Sequence, residues 1–155
     1  MTDGVKSGLG RRILIATLIA GALDIGMASI ETAMKGKPVG GMLRGLASGP
    51  VPAAKDWGAA GAVAGLAVHF AIMAVMATVF MIAARRIAWV RAHALIAGPL
   101  YGAGLWLVMY GLVLPLRFGA PFPSHDPVAL AKQLFAHMVL VGLTFGVIAR
   151  QEKIA

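Results

Sequence analysis

Three titratable side chains interrupt long apolar stretches of this sequence: Asp24, His69 and His137. An ionisable group is costly in hydrocarbon, so such residues face the protein interior and carry function by default. Histidine titrates near physiological pH, and a buried carboxyl group can titrate there too. These residue types could therefore exchange protons, hold a polar headgroup or ligate a metal.

The three residues are predicted to lie at nearly the same depth, because each is a similar distance from the basic end of its helix. The nearest basic residues at those ends are Arg12, Arg85 and Arg150. The separations correspond to about 18, 24 and 20 Å for Asp24, His69 and His137, at the helical rise of about 1.5 Å per residue. The positions therefore predict a polar belt across the interior of a helix bundle.

Other polar and small residues share the helix faces of these three. Thr17 and Glu31 are each seven residues from Asp24, and Gln133 and Thr144 lie on the face of His137. Trp106 and Tyr101 need hydrogen-bond partners if they are buried. Gly61 and Gly65 precede His69 on one helix face, which continues to Met73 and Met76. The candidate residues for proton or ligand binding are therefore Asp24, His69, His137, Trp106, Tyr101, Glu31 and Gln133.

Haem b is one cofactor that these residues could hold. In an up-down-up-down bundle the second and fourth helices tend to be diagonal, so His69 and His137 would be the axial ligands, with room for the macrocycle at Gly65. Copper is another alternative, because imidazole and thioether groups suit it. Its candidate ligands are His69, Met73, Met76, His137 and Met138.

The hypothesis favoured by the sequence is a structural or accessory subunit with an internal Asp/His polar belt. The alternatives are a proton-relay or small polar ligand-binding membrane protein, and a bis-histidine haem protein in membrane electron transfer. Ser124, His125 and Asp126 are hydrolase residue types, but adjacent side chains on a proline-rich loop do not form a triad. Phosphate-loop, dinucleotide, zinc and nucleic-acid motifs are missing. We therefore predict no enzyme activity and no nucleic-acid partner.

The elements that position these residues follow from composition. Of 155 residues 59% are hydrophobic and 13% are charged, with a mean hydropathy of +0.84, whereas about a quarter of residues are charged in soluble domains. The chain has no cysteine, which excludes disulfides, thiolate metal sites and a cysteine nucleophile. A single integral membrane domain is predicted over residues 1–155, with four helices of spanning length. They cover approximately 13–34, 59–84, 94–116 and 128–149.

The connections between these helices carry their own signals. Residues 35–58 form a Gly- and Pro-rich loop, in which 42–47 favours one or two helical turns at the membrane interface. Residues 85–91 are a short basic turn. Asp126 followed by Pro127 predicts an N-cap and a first-turn proline at the start of the fourth helix.

Each predicted helix also contains two small residues four positions apart. Such pairs lie on one face and let helix backbones approach closely, so tight packing of the bundle is expected. The pairs are Ala22 with Gly26, Gly61 with Gly65, Gly98 with Gly102, and Gly142 with Gly146.

The distribution of lysine and arginine favours both termini on the cytoplasmic side. With that orientation, the cytoplasmic side holds Lys6, Arg11, Arg12, Arg85, Arg86, Arg91, Arg150 and Lys153. The opposite side holds Lys35, Lys37, Arg44, Lys55, Arg117 and Lys132. The predicted fold is thus an all-α, up-down-up-down bundle, N-in and C-in. Its net charge of +8 predicts contact with anionic lipids, and other membrane subunits or further copies of the chain are the remaining candidate partners.

Short motifs through most of the chain resemble small uncharacterised bacterial inner-membrane proteins of the YagU-like kind. The resemblance implies a bacterial inner-membrane location and four helices, and it implies no particular activity. The first loop is shorter here than in the larger members. The motifs are Gly21-Ala-Leu-Asp24, Leu43-Arg-Gly-Leu-Ala-Ser48, Leu66-Ala-Val-His69-Phe70, Gly98-Pro-Leu-Tyr101-Gly102, Val113-Leu-Pro115-Leu116 and Phe135-Ala-His137-Met138.

Overall fold

The computed structural model describes residues 3–150, with side chains described from Gly8 onwards, and every regular element in that range is a helix. Four helices are long and apolar enough to cross a membrane, which confirms the four predicted stretches. Lys153, one of the residues used for orientation, lies outside the described residues. The four helices, called the first to fourth spans below, are Gly8–Met34, Gly58–Arg86, Ala94–Phe118 and Pro127–Arg150.

The first span belongs to a longer helix, α1 (Asp3–Met34), which begins well before the predicted start at residue 13. Basic residues such as Arg11 and Arg12 end the apolar stretch, but arginine is a good helix former, so they do not end the helix. A short helix, α2 (Val39–Ala47), and a 3-10 turn (Pro52–Asp56) follow in the connection. The predicted helical turns at 42–47 are thus confirmed.

The second span is α3 (Gly58–Arg86), and a short helix, α4 (Ala88–Ala92), leads from it to the third. Each of the last two spans contains a π-helical segment. The third consists of α5 (Ala94–Val108), π-helical Met109–Val113 and α6 (Leu114–Phe118). The fourth consists of α7 (Pro127–Phe135), π-helical Ala136–Leu143 and α8 (Thr144–Arg150).

The start of the fourth span confirms the predicted cap. The Asp126 carboxylate accepts a hydrogen bond from the backbone N–H of Val128 at 2.9 Å, and Pro127 is the first helical residue. The third span ends at Gly119, whose φ of 65° is the left-handed conformation that commonly closes a helix.

The third and fourth spans pack through their glycines. A Cβ at Gly98 would clash with the carbonyl of Gly142, and one at Gly102 would clash with the carbonyl of His137. Gly146 meets the carbonyl of Ala94 in the same way. The two glycine pairs therefore do allow close backbone contact, and the contacting residues follow one another in reverse order along the two spans.

The other two small-residue pairs behave differently. A Cβ at Gly65 would overlap the carbonyl of Leu43 in α2, so this glycine admits the loop helix rather than another span. The prediction for Ala22 and Gly26 is wrong, because Ala22 is exposed and a Cβ at Gly26 would have no atom within 4 Å. Gly21 makes the close contact instead, since a Cβ there would lie 2.6 Å from Cε1 of Phe70.

Buried apolar side chains gather at the end of the bundle that carries α4. Phe80, Tyr101 and Phe145 are its central rings, with centroid separations of 5.3 to 6.4 Å. We call this region the packed half. Its other buried members are Ala16, Ala20, Met73, Ala77, Met81, Ala84, Ala94, Ala97, Val141, Ile148 and Ala149.

Candidate functional site

The opposite end of the bundle, which carries α2, forms a partly open cavity of about 880 Å³. All four spans and α2 contribute to its wall, and we call this region the hollow half. Most of the wall is apolar, with methionines at positions 27, 42, 73, 76 and 109, and Met73 and Val141 belong to both halves because they also pack in the core. Its ionisable side chains are Asp24, Glu31, Lys35, His69, Tyr110, Arg117, Lys132 and His137.

Asp24 and His69 face each other between the first two spans. His69 is buried, and its Nε2 lies 3.0 Å from the carbonyl oxygen of Gly21. Because a carbonyl only accepts, Nε2 carries the hydrogen and donates it. The other ring nitrogen, Nδ1, lies 4.0 Å from Oδ2 of Asp24, whose side chain is 23% exposed. The absent side chain of Gly21 leaves room for the ring of Phe70, the residue that follows His69.

His137 reaches the same cavity from the fourth span. Its Nδ1 lies 3.1 Å from the carbonyl of Gln133, one turn earlier, and the ring of Tyr110 meets it edge-on at 5.6 Å. Gln133 in turn accepts a hydrogen bond of 3.3 Å from Nε1 of Trp106. These contacts orient the polar side chains that the last two spans present to the cavity.

Both π-helical segments contribute residues to this wall. Tyr110 belongs to the segment in the third span, and His137 to the segment in the fourth. π-helical turns are rare, and they occur frequently at functional sites. Their position here links a local departure from α-helical geometry to the polar part of the cavity.

Two basic residues on the wall already have protein partners. The Lys132 ammonium lies 3.2 Å from Oε1 of Glu31, so this pair joins the fourth span to the first. Arg117 donates from Nε to the carbonyl of Gly49 at 2.7 Å and from Nη2 to that of Ser48 at 2.9 Å. Arg117 thereby ties the end of α2 to the third span.

The cavity is bordered by α2 on one side and by apolar residues on another. Met42 and Leu46 of α2 line it, and we call this helix the cover of the hollow half. Within residues 3–150, no Cα of the second span lies within 8 Å of a Cα in Met109–Phe118, although the two spans meet in the packed half. Ile72 and Val113, 40% and 38% exposed, border this separation. If the helices cross a bilayer, this side of the cavity faces hydrocarbon.

The structure brings most of the predicted site residues together. Asp24, Glu31, His69, Gln133 and His137 all line the cavity. Trp106 does not line it but is bonded to Gln133. Tyr101 is in the packed half, where its hydroxyl donates to the carbonyl of Met76 at 3.1 Å.

Four ionisable residues of the wall are not among the predicted site residues: Lys35, Tyr110, Arg117 and Lys132. The sequence does carry a signal for Lys132, since this cation lies inside a predicted helix and beside Gln133. Arg117 was interpreted only as a marker of orientation. Its role depends on a distant partner, the end of α2, which no local pattern specifies.

The geometry does not favour the metal alternatives. Nε2 of His69 is directed at the carbonyl of Gly21, so this nitrogen does not face a haem shared with His137. Among the described residues, no group of three or more His, Cys, Asp or Glu side chains could hold a metal ion. Of the copper candidates, Met138 is not part of the cavity wall.

The fold and site define a class: an all-helical protein with four helices of spanning length around a mainly apolar cavity. No protein-family model matches the chain, and neither a curated protein nor a solved structure matches it. The interpretation of the cavity therefore depends on its own geometry.

Proposed function

We propose that this protein is a multi-pass membrane protein that binds a small amphiphilic ligand in the cavity of the hollow half, without catalysing a reaction. The observation that carries the proposal is one cavity, lined by all four spans, with Asp24, His69 and His137 on its wall. Ligand sites are typically mainly apolar concavities with a few polar groups. A mixed wall of this kind suits a molecule with a polar head and an apolar body.

A structural or accessory role is the second candidate, and one contact supports it. The hydrogen bond from His69 to the carbonyl of Gly21 joins two spans and would set their register. A belt with that role alone would be closed by mutual hydrogen bonds, because unpaired polar groups in a low dielectric are costly. The partial exposure of Asp24 to the cavity favours ligand binding over this role.

A test of ligand binding compares two alanines of the first span. Ala28 lines the cavity, whereas Ala22 is exposed on another face. Native mass spectrometry of the purified protein should detect a bound small molecule in the wild type and in Ala22→Phe. Ala28→Phe should lose it, because the ring occupies the cavity. Equal binding by all three proteins, or no bound molecule in any, would contradict the proposal.

We further propose an up-down-up-down arrangement in a bacterial inner membrane, with anionic lipids around the basic helix ends. The reversed order of the glycine contacts between the third and fourth spans supports it. In the first two spans, Leu9 shares a small cleft with Ile82, whereas Gly21 meets Phe70, so the order is reversed there too. The YagU-like motifs support the location.

Single cysteines test the N-in, C-in orientation directly, because the chain has none of its own. Ala53 and Ala92 are exposed and lie in connections at opposite ends of the bundle. A membrane-impermeant thiol reagent applied to spheroplasts should label Ala53→Cys, and should label Ala92→Cys only after permeabilisation. The reverse pattern would overturn the orientation.

A further inference from the structure

Asp24 and His69 face each other with a hydrogen-bond acceptor on each side. Since Nε2 of His69 donates to the carbonyl of Gly21, Nδ1 of the neutral ring carries a lone pair. That lone pair lies 4.0 Å from Oδ2 of Asp24, which is beyond hydrogen-bonding distance. Among the described residues, no cation other than a protonated His69 lies within that distance of the Asp24 carboxylate.

Of the three lysine and arginine side chains on the cavity wall, two are engaged elsewhere, and the third, Lys35, follows the end of α1 at about 16 Å along the helix axis from Asp24. Lys132 is paired with Glu31, and Arg117 donates to the carbonyls of Ser48 and Gly49. Asp24 is therefore the carboxylate on the cavity wall whose charge these two basic side chains leave unneutralised. A ligand that brings both a positive charge and hydrogen-bond donors would complement it.

An ammonium group has the size and the donors for this place. The usual length of an N–H hydrogen bond is about 2.9 Å. A nitrogen can lie at that distance from both acceptors, because they are only 4.0 Å apart. One N–H would point at Oδ2 of Asp24 and another at Nδ1 of His69. A divalent metal would need at least one more protein ligand, and the described residues offer no group of three.

The surroundings of the pair suit an apolar tail on that ammonium group. Ile25, Met27, Ile72 and Met73 line the cavity beside Asp24 and His69 in the first two spans. The separation between the second and third spans, bordered by Ile72 and Val113, gives an apolar chain access from the bilayer. Head and tail could then be bound together without burying an unpaired charge.

We propose that the cavity binds an alkylamine in its ammonium form, with its N–H groups donating to Asp24 and His69 and its tail against the apolar wall. This inference rests on the proposed ligand-binding function and names the chemical class of the ligand. The proposed site requires N–H donors in addition to positive charge, so it should bind primary amines more tightly than quaternary ammonium compounds.

The binding assay uses Trp106 as its reporter. This tryptophan is bonded to Gln133 and stacks on Tyr110, both of which line the cavity, whereas Trp57 and Trp89 are exposed and do not line it. The Trp57→Phe/Trp89→Phe protein in phosphatidylcholine nanodiscs would be titrated with hexylamine, hexyltrimethylammonium, hexanol and hexanoate. Hexylamine should give a saturable fluorescence change, and the quaternary compound should bind about tenfold more weakly, because it lacks charge-assisted hydrogen bonds.

Two substitutions in the reporter protein test the two acceptors. Asp24→Asn removes the charge and should reduce hexylamine affinity by more than about tenfold. In His69→Gln, the amide can still donate to the carbonyl of Gly21, but its acceptor oxygen does not occupy the position of Nδ1, so a smaller loss is expected. Asp56→Asn is the matched control, because this exposed carboxylate is outside the cavity and its loss should leave affinity unchanged.

A second measurement holds even if His69→Gln does not fold. Nitrogen NMR of the wild-type protein saturated with hexylamine should show His69 neutral, with its proton on Nε2. An imidazolium signal under these conditions would overturn the inference. So would hexanol or hexanoate binding in the cavity more tightly than hexylamine, or hexylamine binding unchanged by Asp24→Asn, although ligand binding itself would then stand. If no probe binds and Ala28→Phe displaces no bound molecule, the proposed function fails as well.

Discussion

The two ends of the same four helices solve different packing problems. In the packed half, alanine and glycine let the helices approach, and the Phe80, Tyr101 and Phe145 rings fill the remaining space. In the hollow half, methionines and ionisable side chains surround a cavity of about 880 Å³. The difference indicates that one end holds the bundle together and leaves the other free to keep a binding site open.

Backbone geometry differs between the two halves as well. The π-helical segments Met109–Val113 and Ala136–Leu143 both contribute to the wall of the cavity, and the second also reaches the packed half at Val141, whereas α5 and α8 are α-helical where they meet. A π-helical turn adds a residue and shifts the direction of the side chains that follow. This shift accompanies the inward position of Tyr110 and His137.

The largest effect is expected from Phe145→Ala, which removes a fully buried ring from the packed half. The void should cost about 2–4 kcal/mol of unfolding free energy, since the lost packing is not replaced by lipid. Denaturation in mixed micelles measures it. Phe135→Ala, in the same span but 49% exposed, is the control and should change stability by less than about 0.5 kcal/mol. Equal effects of the two variants would contradict the division into halves.

Gly98→Ala should be the next most damaging change. The added Cβ would clash with the backbone carbonyl of Gly142, and the clash can be relieved only if the third and fourth spans move apart. We therefore expect a loss of about 1–3 kcal/mol of unfolding free energy. Gly104→Ala in the same span is the matched control, because a Cβ at Gly104 would have no atom within 4 Å. That control should be neutral or slightly stabilising, because alanine favours helix. A stable Gly98→Ala protein would show that the spans are not closely packed there.

Arg117→Met tests whether the cover of the hollow half depends on its tie to the third span. The substitution removes two hydrogen bonds to the end of α2 and should cost about 1 kcal/mol, because the side chain is largely exposed. Hydrogen exchange of residues 39–49 should become faster, with the packed half unchanged. Arg91→Met, at an exposed arginine outside the cavity wall, is the control. Unchanged exchange in α2 would show that other contacts hold the cover.

The smallest effect is expected from Met27→Ala, on the wall of the hollow half. This side chain borders existing space, so its loss should cost less than about 1 kcal/mol, whereas Met81→Ala in the packed half should cost about 2–3 kcal/mol. The same mixed-micelle denaturation compares the two methionines. A cost for Met27→Ala as large as that for Met81→Ala would mean that the hollow half is filled and rigid.

Several features of the fold could be predicted because their causes are local. Twenty or more apolar residues in succession predict a span, and an aspartate before a proline predicts the cap that Asp126 forms. The short helix at 39–47 follows from apolar residues between helix-breaking segments. The residue types that line the cavity were also visible in the sequence, since Asp24, His69 and His137 are rare inside apolar helices.

Other features were decided only by the tertiary structure, because they depend on how each helix is rotated about its axis. Lipid-facing and interior faces of a spanning helix are both apolar, so hydropathy does not distinguish Gly21, which contacts the second span, from Ala22, which is exposed. Gly65 could have met another span, but it meets α2. The cavity itself results from spans that are close at one end and apart at the other. The sequence therefore determined which polar residues lie inside the apolar helices. Packing between distant segments determined that these residues meet in one cavity.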